Sequence, residues 1–178
     1  HIITIEDPVE RQLDGIIQGH VNERAGMTFA AALRSMLRQD PDVIMVGEMR
    51  DRETADLAIR AALTGHLVFS TLHTNSAAAS YTRLVDMGCD PFLLTTTIRA
   101  ILAQRLIRKL CYKCKVKYRP TEKDLKSLGV EKIDGFIYHS NSKGCKTCGK
   151  DGYKGRAGIY ELLIPNEAIN EAVKNEAS

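Results

Sequence analysis

Several features are scarce or absent in this sequence. It has no tryptophan, and aromatic residues make up 6% of its 178 residues. No apolar run approaches the roughly 18 residues that a membrane-spanning helix requires. No cleavable signal opens the chain, and neither internal repeats nor low-complexity segments are found. The 25 basic residues exceed the 22 acidic ones only slightly, and the resulting net charge of +3 is too small to identify the whole chain as a nucleic-acid-binding protein.

The amino-acid composition is that of a folded protein. Hydrophobic residues make up 44% of the chain and charged residues 26%, which excludes wholesale disorder. The length fits one domain, or one domain with a small appendage. The chain begins with His1 and a β-branched run, without an initiating methionine. We therefore expect it to be a fragment of a longer protein.

Charge divides the chain into two parts. Residues 1–60 contain 11 acidic and 7 basic residues, whereas residues 105–156 contain 15 basic and 5 acidic ones. Such an asymmetry predicts two parts with different roles.

Strands alternate with helices over the first two thirds of the chain. The apolar run at 43–46 is typical of a buried parallel strand. The predicted strands cover residues 2–5 and 43–46, and a third starts at 67–69 and ends at 71–73. A hairpin or loop is predicted at 11–24. The predicted helices cover residues 28–38, 53–63, 76–87 and 92–110, and a strand at 155–163 and a helix at 165–177 end the chain. This alternation predicts an α/β fold with a parallel sheet.

Four cysteines form two C-x-x-C pairs, Cys111 with Cys114 and Cys145 with Cys148. Each pair places two thiolates on a tight turn, and their convergence would give a tetrahedral four-sulfur zinc site. Four cysteine ligands would leave no open coordination position on the zinc, so such a zinc is structural rather than catalytic. Reduced thiols or disulfides are the alternative, and the missing secretory signal disfavours disulfides. The remaining Cys89 is expected to be a small buried hydrophobic residue.

Polar side chains follow three of the predicted strands. Glu6 follows the first strand, Glu48 the second and His73 the third. Each alone could be a solvated carboxylate or a hydrogen-bonded core histidine. Because the carboxyl ends of parallel strands meet at one edge of an open sheet, where ligands bind, the three together predict a metal–phosphate site.

With these motifs the chain resembles the ATPases of type II secretion and type IV pilus assembly, within the secretion NTPase superfamily. Residues 4–10 resemble the Asp box of that family, residues 37–51 its Walker B motif and residues 64–74 its His box. The tetracysteine insert is similar to that of the assembly and export branch.

The resemblance implies part of a RecA-like P-loop NTPase core with an inserted zinc subdomain. Residues 1–110 would belong to the core, residues 111–148 to the tetracysteine subdomain and residues 149–178 to a final strand and helix. The family binds ATP through a G-x-x-x-x-G-K-[ST] loop that precedes the Asp box, and no such loop occurs here. The near match at 144–151 is rejected because it contains two cysteines and places Asp151 where a hydroxyl should reach Mg²⁺. We therefore expect the first strand and phosphate loop to be missing, and the fragment alone to be inactive.

The resemblance also implies roles for individual residues. Glu6 would be the base that orients the attacking water, Glu48 would hold Mg²⁺ through water, and His73 would contact the γ-phosphate of ATP. Four further residues could cross to a neighbouring subunit or sense the nucleotide, although each could equally be structural or a solvated surface residue: His66, Arg50, Arg60 and Arg83.

The implied assembly is a homo-hexamer that acts on inner-membrane platform and cytoplasmic-domain proteins, from a cytoplasmic position at the inner membrane. The alternative function is a zinc-stabilised module that binds nucleic acid through the basic run 105–119, with Tyr112 and Tyr118 interleaved. That alternative does not account for Glu6, Glu48 and His73 at three strand ends, so no nucleic-acid partner is expected.

Overall fold

The computed structural model of the chain describes residues 1–175. It contains two compact units. The first comprises His1–Ala103 together with the described chain from Glu161 onward, and the second comprises Gln104–Tyr160.

A four-stranded sheet forms the centre of the first unit. Its strands lie in the order β2-β1-β3-β4, and all three pairings are parallel. The strands are β1 (Ile2–Glu6), β2 (Ile17–His20), β3 (Val43–Val46) and β4 (Leu67–Ser70). The predicted α/β fold with a parallel sheet is confirmed.

Most helices of this unit begin where a side chain caps the first turn. The Thr28 side chain accepts a hydrogen bond from the Ala31 amide, and Asp51 accepts one from Thr54, so each satisfies a backbone donor that the helix leaves unpaired. The helices of this unit are α1 (Phe29–Met36), α2 (Arg52–Leu63), α3 (Ala79–Asp86), α4 (Pro91–Thr97) and, after α5 of the second unit (Glu122–Leu128), α6 (Glu167–Lys174).

Two apolar clusters hold this unit together. One joins the sheet to α1 and α2, with Leu33 and Ile44 fully buried. The other joins α2, α3 and α4 around Ala55, Leu84 and Leu94, with residues of α6 packed against it. The first cluster underlies the strands that carry the predicted site, and it therefore fixes their relative positions.

Two predictions of local structure were wrong. The helix predicted at 92–110 ends at Thr97, and Ile101–Leu110 forms strand β5, which pairs with β8 (Tyr153–Leu163). The apolar spacing of this segment fits a helix, but pairing with a distant strand overrides local periodicity. The segment 11–24 contains β2, which pairs in parallel with β1 instead of forming a hairpin. The predicted terminal helix ends at Lys174, and its expected last residue lies outside the described part of the chain.

The second unit contains the four cysteines of the two C-x-x-C pairs. The antiparallel pair of β6 (Val116–Tyr118) and β7 (Ile137–His139) lies between the two C-x-x-C turns. Helix α5 connects these strands and begins with a reciprocal hydrogen-bonded cap between Thr121 and Asp124. Among the described residues, no helix is both long and apolar enough to cross a membrane.

Candidate active site and metal centre

The strand register brings the predicted site residues to one edge of the sheet. Ile5 lies opposite Val46, and Val46 lies opposite Ser70. Glu6 therefore ends β1 beside the segment that leaves β3, and the segment that leaves β4 carries His73 past the same edge.

Glu48 and His73 are in direct contact. Oε2 of Glu48 lies 3.3 Å from Nε2 of His73, and Oε1 accepts a hydrogen bond of 2.5 Å from Nη2 of Arg50. The Glu48 side chain is only 17% exposed, whereas that of His73 is 88% exposed. The hydrogen bond from Arg50 lowers the pKa of Glu48, and the same contact raises the pKa of Arg50. Glu48 is therefore held as a carboxylate.

Arg50 connects this pair to the end of β1. Its Nη2 lies 3.5 Å from Oδ2 of Asp7, and its guanidinium carbon lies 6.0 Å from the centre of the Phe29 ring. Arg50 thus contacts acids that follow β1 and β3, both within the same chain.

Glu6 is held by different neighbours. Its Oε1 accepts a hydrogen bond of 2.6 Å from Oγ1 of Thr4 and one of 3.0 Å from Nε2 of Gln18. Gln18 was not predicted as a functional residue. The sequence offers no signal for it, because the parallel pairing of β2 with β1 is what brings it to Glu6.

Gly47 links the three strand ends. Its amide donates to the Ile5 carbonyl at 2.8 Å, and its carbonyl accepts from Oγ1 of Thr71 at 2.7 Å. A Cβ atom at this position would lie 3.1 Å from the Ile5 carbonyl oxygen and 3.3 Å from the Glu6 Cα atom. Only glycine allows this approach without a shift of the backbone that carries Glu6.

The other predicted residues lie on helices or just after a helix end. Nδ1 of His66 lies 3.0 Å from the Ala61 carbonyl oxygen and 3.1 Å from Oγ1 of Thr64, at the end of α2. This position suits a structural role. Arg60 is exposed on α2, and Arg83 is exposed on α3.

The four predicted cysteines converge in the second unit. All four Sγ atoms lie within 4.8 Å of one another, and three of the pairs are separated by 3.8 Å. A disulfide requires about 2.05 Å, so the thiols are free. Four sulfurs placed tetrahedrally at about 2.3 Å from zinc lie about 3.8 Å apart. The donor set and its spacing therefore fit zinc.

Backbone amides around the cluster favour thiolates. Sγ of Cys148 accepts hydrogen bonds of 3.2 Å from the amides of Cys145 and Gly152, and the bond from Cys145 contributes most to lowering the pKa of Cys148 to about 6. Desolvation, assisted by the neighbouring thiols, raises the pKa of Cys114 to about 12. A bound cation would relieve that penalty, since metal ligands are thiolates.

Several aromatic side chains of this unit have partners within it. Tyr118 packs edge-on against His139 and donates a hydrogen bond to Asp124. The Lys115 ammonium lies 4.0 Å from the centre of the Tyr138 ring, and the Arg108 guanidinium carbon lies 3.9 Å from that of Tyr153. Of the two tyrosines considered for stacking on bases, only Tyr112 is largely exposed.

Comparisons with known proteins give a consistent result. The family model described as "Type II/IV secretion system protein" matches residues 1–178. The chain is 53% identical over 178 residues to the type II secretion system protein E of Pseudomonas aeruginosa, and 52% identical over 172 residues to the type IV pilus assembly ATPase PilB of Thermus thermophilus. These matches cover 100% and 96% of the chain, but only 35% and 19% of the relatives.

Solved structures share the fold. The crystal structure of the pilus retraction motor PilT with bound ADP matches 99% of this chain and 42% of its own, with 37% identity and a TM-score of 0.67. The ATPase DotB of Yersinia pseudotuberculosis matches 99% of this chain and 40% of its own, with 26% identity and a TM-score of 0.64.

Proposed function

The chain belongs to the type II/IV secretion system protein family, and we propose that it is the carboxyl-terminal part of a hexameric ATPase that powers type II secretion or type IV pilus assembly. The observation that carries this proposal is the contact between Glu48 and His73 at the edge where β1, β3 and β4 end, with Glu6 at the end of β1. Open α/β sheets bind phosphate ligands at this edge.

Each site residue has a role that its surroundings support. Glu6 is the base that orients the attacking water, and hydrogen bonds from Thr4 and Gln18 fix its carboxylate. Glu48, kept ionised by Arg50, holds a water of the metal. His73, largely exposed beside Glu48, contacts the terminal phosphate. When bound, Mg²⁺ and ATP supply the cation that neutralises developing charge and the phosphoryl group that passes to water.

The rest of the core is proposed to be RecA-like, with the strand and loop that bind the phosphates lying outside these 178 residues. Strand β4 supports this proposal. Among the described residues, β4 is an edge strand of the sheet. Residues Leu67 and Phe69 of this strand are 50% and 55% exposed. Parallel strands are normally covered on both faces, so β4 has room for a further part of the sheet and its helices.

A structural zinc ion is proposed for the second unit. Cys111, Cys114, Cys145 and Cys148 fit its ligand number and spacing. The residues 111–148 would then form a zinc subdomain between the core and the final strand and helix at 149–178. Arg60, Arg83 and Arg50 remain candidates for contacts between subunits.

The partners follow from the same proposal. A motor of this kind would act as a homo-hexamer on inner-membrane platform and cytoplasmic-domain proteins, from the cytoplasmic side of that membrane. Nucleic acid is not among the proposed partners, because Tyr118 of the basic segment is engaged within the second unit.

ATP turnover by the full-length protein tests the site. Glu6→Gln and Glu48→Gln should abolish turnover while ATP still binds, because each removes a charge at the water or the metal and leaves the phosphate loop intact. His73→Ala should slow turnover with a smaller loss of binding. Glu53→Gln is the matched control, since Glu53 pairs with Arg34 on the surface. Near-normal turnover of Glu48→Gln would contradict the proposal.

A further inference from the structure

Gln18 uses both ends of its side-chain amide. Nε2 donates to Oε1 of Glu6 at 3.0 Å and to the Arg11 carbonyl at 3.1 Å. Oε1 accepts from the Leu13 amide at 2.7 Å. Both amide hydrogens and one lone pair of the oxygen are therefore engaged.

The neighbours fix the orientation of this amide. A backbone N–H can only donate, so Oε1 must face Leu13, and a carbonyl can only accept, so Nε2 must face Arg11. With the amide turned this way, Nε2 presents its second hydrogen to Glu6. Turning it over would break both backbone contacts and set two oxygens against each other at Glu6.

The sheet brings Gln18 and Thr4 to the same oxygen. The two residues lie opposite each other in the parallel register of β1 and β2, so their side chains share one face of the sheet, and Glu6 follows two residues later on that face. Both donate to Oε1 of Glu6. Among residues 1–175, no hydrogen bond to Oε2 is found.

From this arrangement we infer that Gln18 is a positioning residue for the general base. This inference rests on the proposed role of Glu6 and adds to it. Gln18 and Thr4 restrain one carboxylate oxygen, so the other oxygen is presented to the attacking water in a fixed direction. A flexible carboxylate would reach that direction only part of the time, and misplacement by about 1 Å can cost about a hundredfold in rate.

Steady-state kinetics of the full-length protein test the inference. Gln18→Met keeps the length of the side chain and removes its amide. The expected result is a kcat lowered by about tenfold to a hundredfold with KM for ATP unchanged, because the lost contact acts on the water and not on the nucleotide. The control is Gln12→Met, which makes the same change at an exposed glutamine of the loop between β1 and β2 and should leave kcat unchanged.

Two further variants make each outcome decisive. Gln18→Asn keeps an amide to satisfy the loop but withdraws it from Glu6, so it should fold and also lower kcat at constant KM, even if Gln18→Met does not fold.

Glu6→Gln separates the two proposals. If Glu6→Gln is inactive and both Gln18 variants match the Gln12 control, only the role of Gln18 is overturned. If Glu6→Gln keeps near-normal turnover, both roles are overturned. A rise in KM equal to the fall in kcat/KM would show that Gln18 serves nucleotide binding, which also overturns the inference.

Discussion

At the scale of single residues, the close approach at Gly47 couples two motifs that are far apart in sequence. The Gly47 amide donates to the Ile5 carbonyl, and its Cα atom leaves no room for a side chain beside Glu6. The relative position of the two acids of the proposed site, Glu6 and Glu48, therefore depends on the absence of a Cβ atom at residue 47.

Gly47→Ala should disturb both stability and turnover. A Cβ atom 3.1 Å from the Ile5 carbonyl oxygen must displace backbone, and such overpacking costs about 1–3 kcal/mol. In the full-length protein the displaced Glu6 should also lower kcat. Gly19→Ala is the control, because its Cβ would lie at an ordinary 3.4 Å from its nearest neighbours. Thermal unfolding and ATP turnover measured together would check both effects, and an unperturbed kcat in Gly47→Ala would contradict the coupling.

The charge state of Glu48 depends on Arg50. Because the contact lowers the folded-state pKa of Glu48, its stabilisation is present above the ordinary pKa of a glutamate and is lost as pH falls through the lowered value. Arg50→Gln should therefore raise the pKa of Glu48, and the exposed Arg60→Gln should not. Carboxyl NMR titration of the chain would measure this, and an identical titration of Glu48 in both variants would show that the ion pair does not form.

At the scale of elements, the cysteine unit has few buried apolar residues of its own. Within Gln104–Tyr160, Cys111 is the one hydrophobic residue that is fully buried, and α5 buries none. A core of this size contributes little stability, whereas structural zinc contributes on the order of 10–16 kcal/mol in small peptides. The unit should therefore depend on its metal.

Removal of zinc should loosen residues 104–160 and leave the parallel sheet protected. The chain should carry one zinc, lost on chelation or in Cys145→Ser. Cys89→Ala should retain it, since Cys89 lies in the apolar cluster of α2, α3 and α4. Metal analysis and amide hydrogen exchange with and without chelator would test this. Equal loss of protection in β1 and β3 would mean that zinc stabilises both units. An unchanged exchange pattern in metal-free protein would contradict the structural zinc site.

At the scale of the whole molecule, the proposed site is divided between this chain and the rest of the protein. The acids and the histidine lie here, whereas a phosphate-binding G-x-x-x-x-G-K-[ST] loop is not part of the 178 residues. Most of the affinity for a nucleotide comes from the backbone amides and the lysine of such a loop.

The isolated chain should therefore neither bind ATP tightly nor hydrolyse it. Calorimetry with Mg²⁺ and ATP should detect no submillimolar binding, while the full-length protein is expected to bind and turn over ATP. Glu48→Gln distinguishes hydrolysis at the proposed site from adventitious hydrolysis. Submillimolar ATP binding by the isolated chain, with turnover that is lost in Glu48→Gln, would show that these 178 residues form a complete nucleotide site. That result would contradict the proposal that the site is divided.

The sequence by itself determined the parallel α/β core, the tetracysteine cluster and the family, because these follow from local patterns. The patterns are apolar runs that end in Glu6, Glu48 and His73, and pairs of cysteines with two residues between them. The tertiary structure alone decided β5 and the parallel β2, because strand formation there depends on partners that lie tens of residues away or on a register that no periodicity encodes. It also decided the contacts of Gln18 with Glu6, of Arg50 with Asp7 and of His73 with Glu48. Such contacts require side chains from separate segments to meet within about 3 Å, and only the packing of the strands against one another sets that distance.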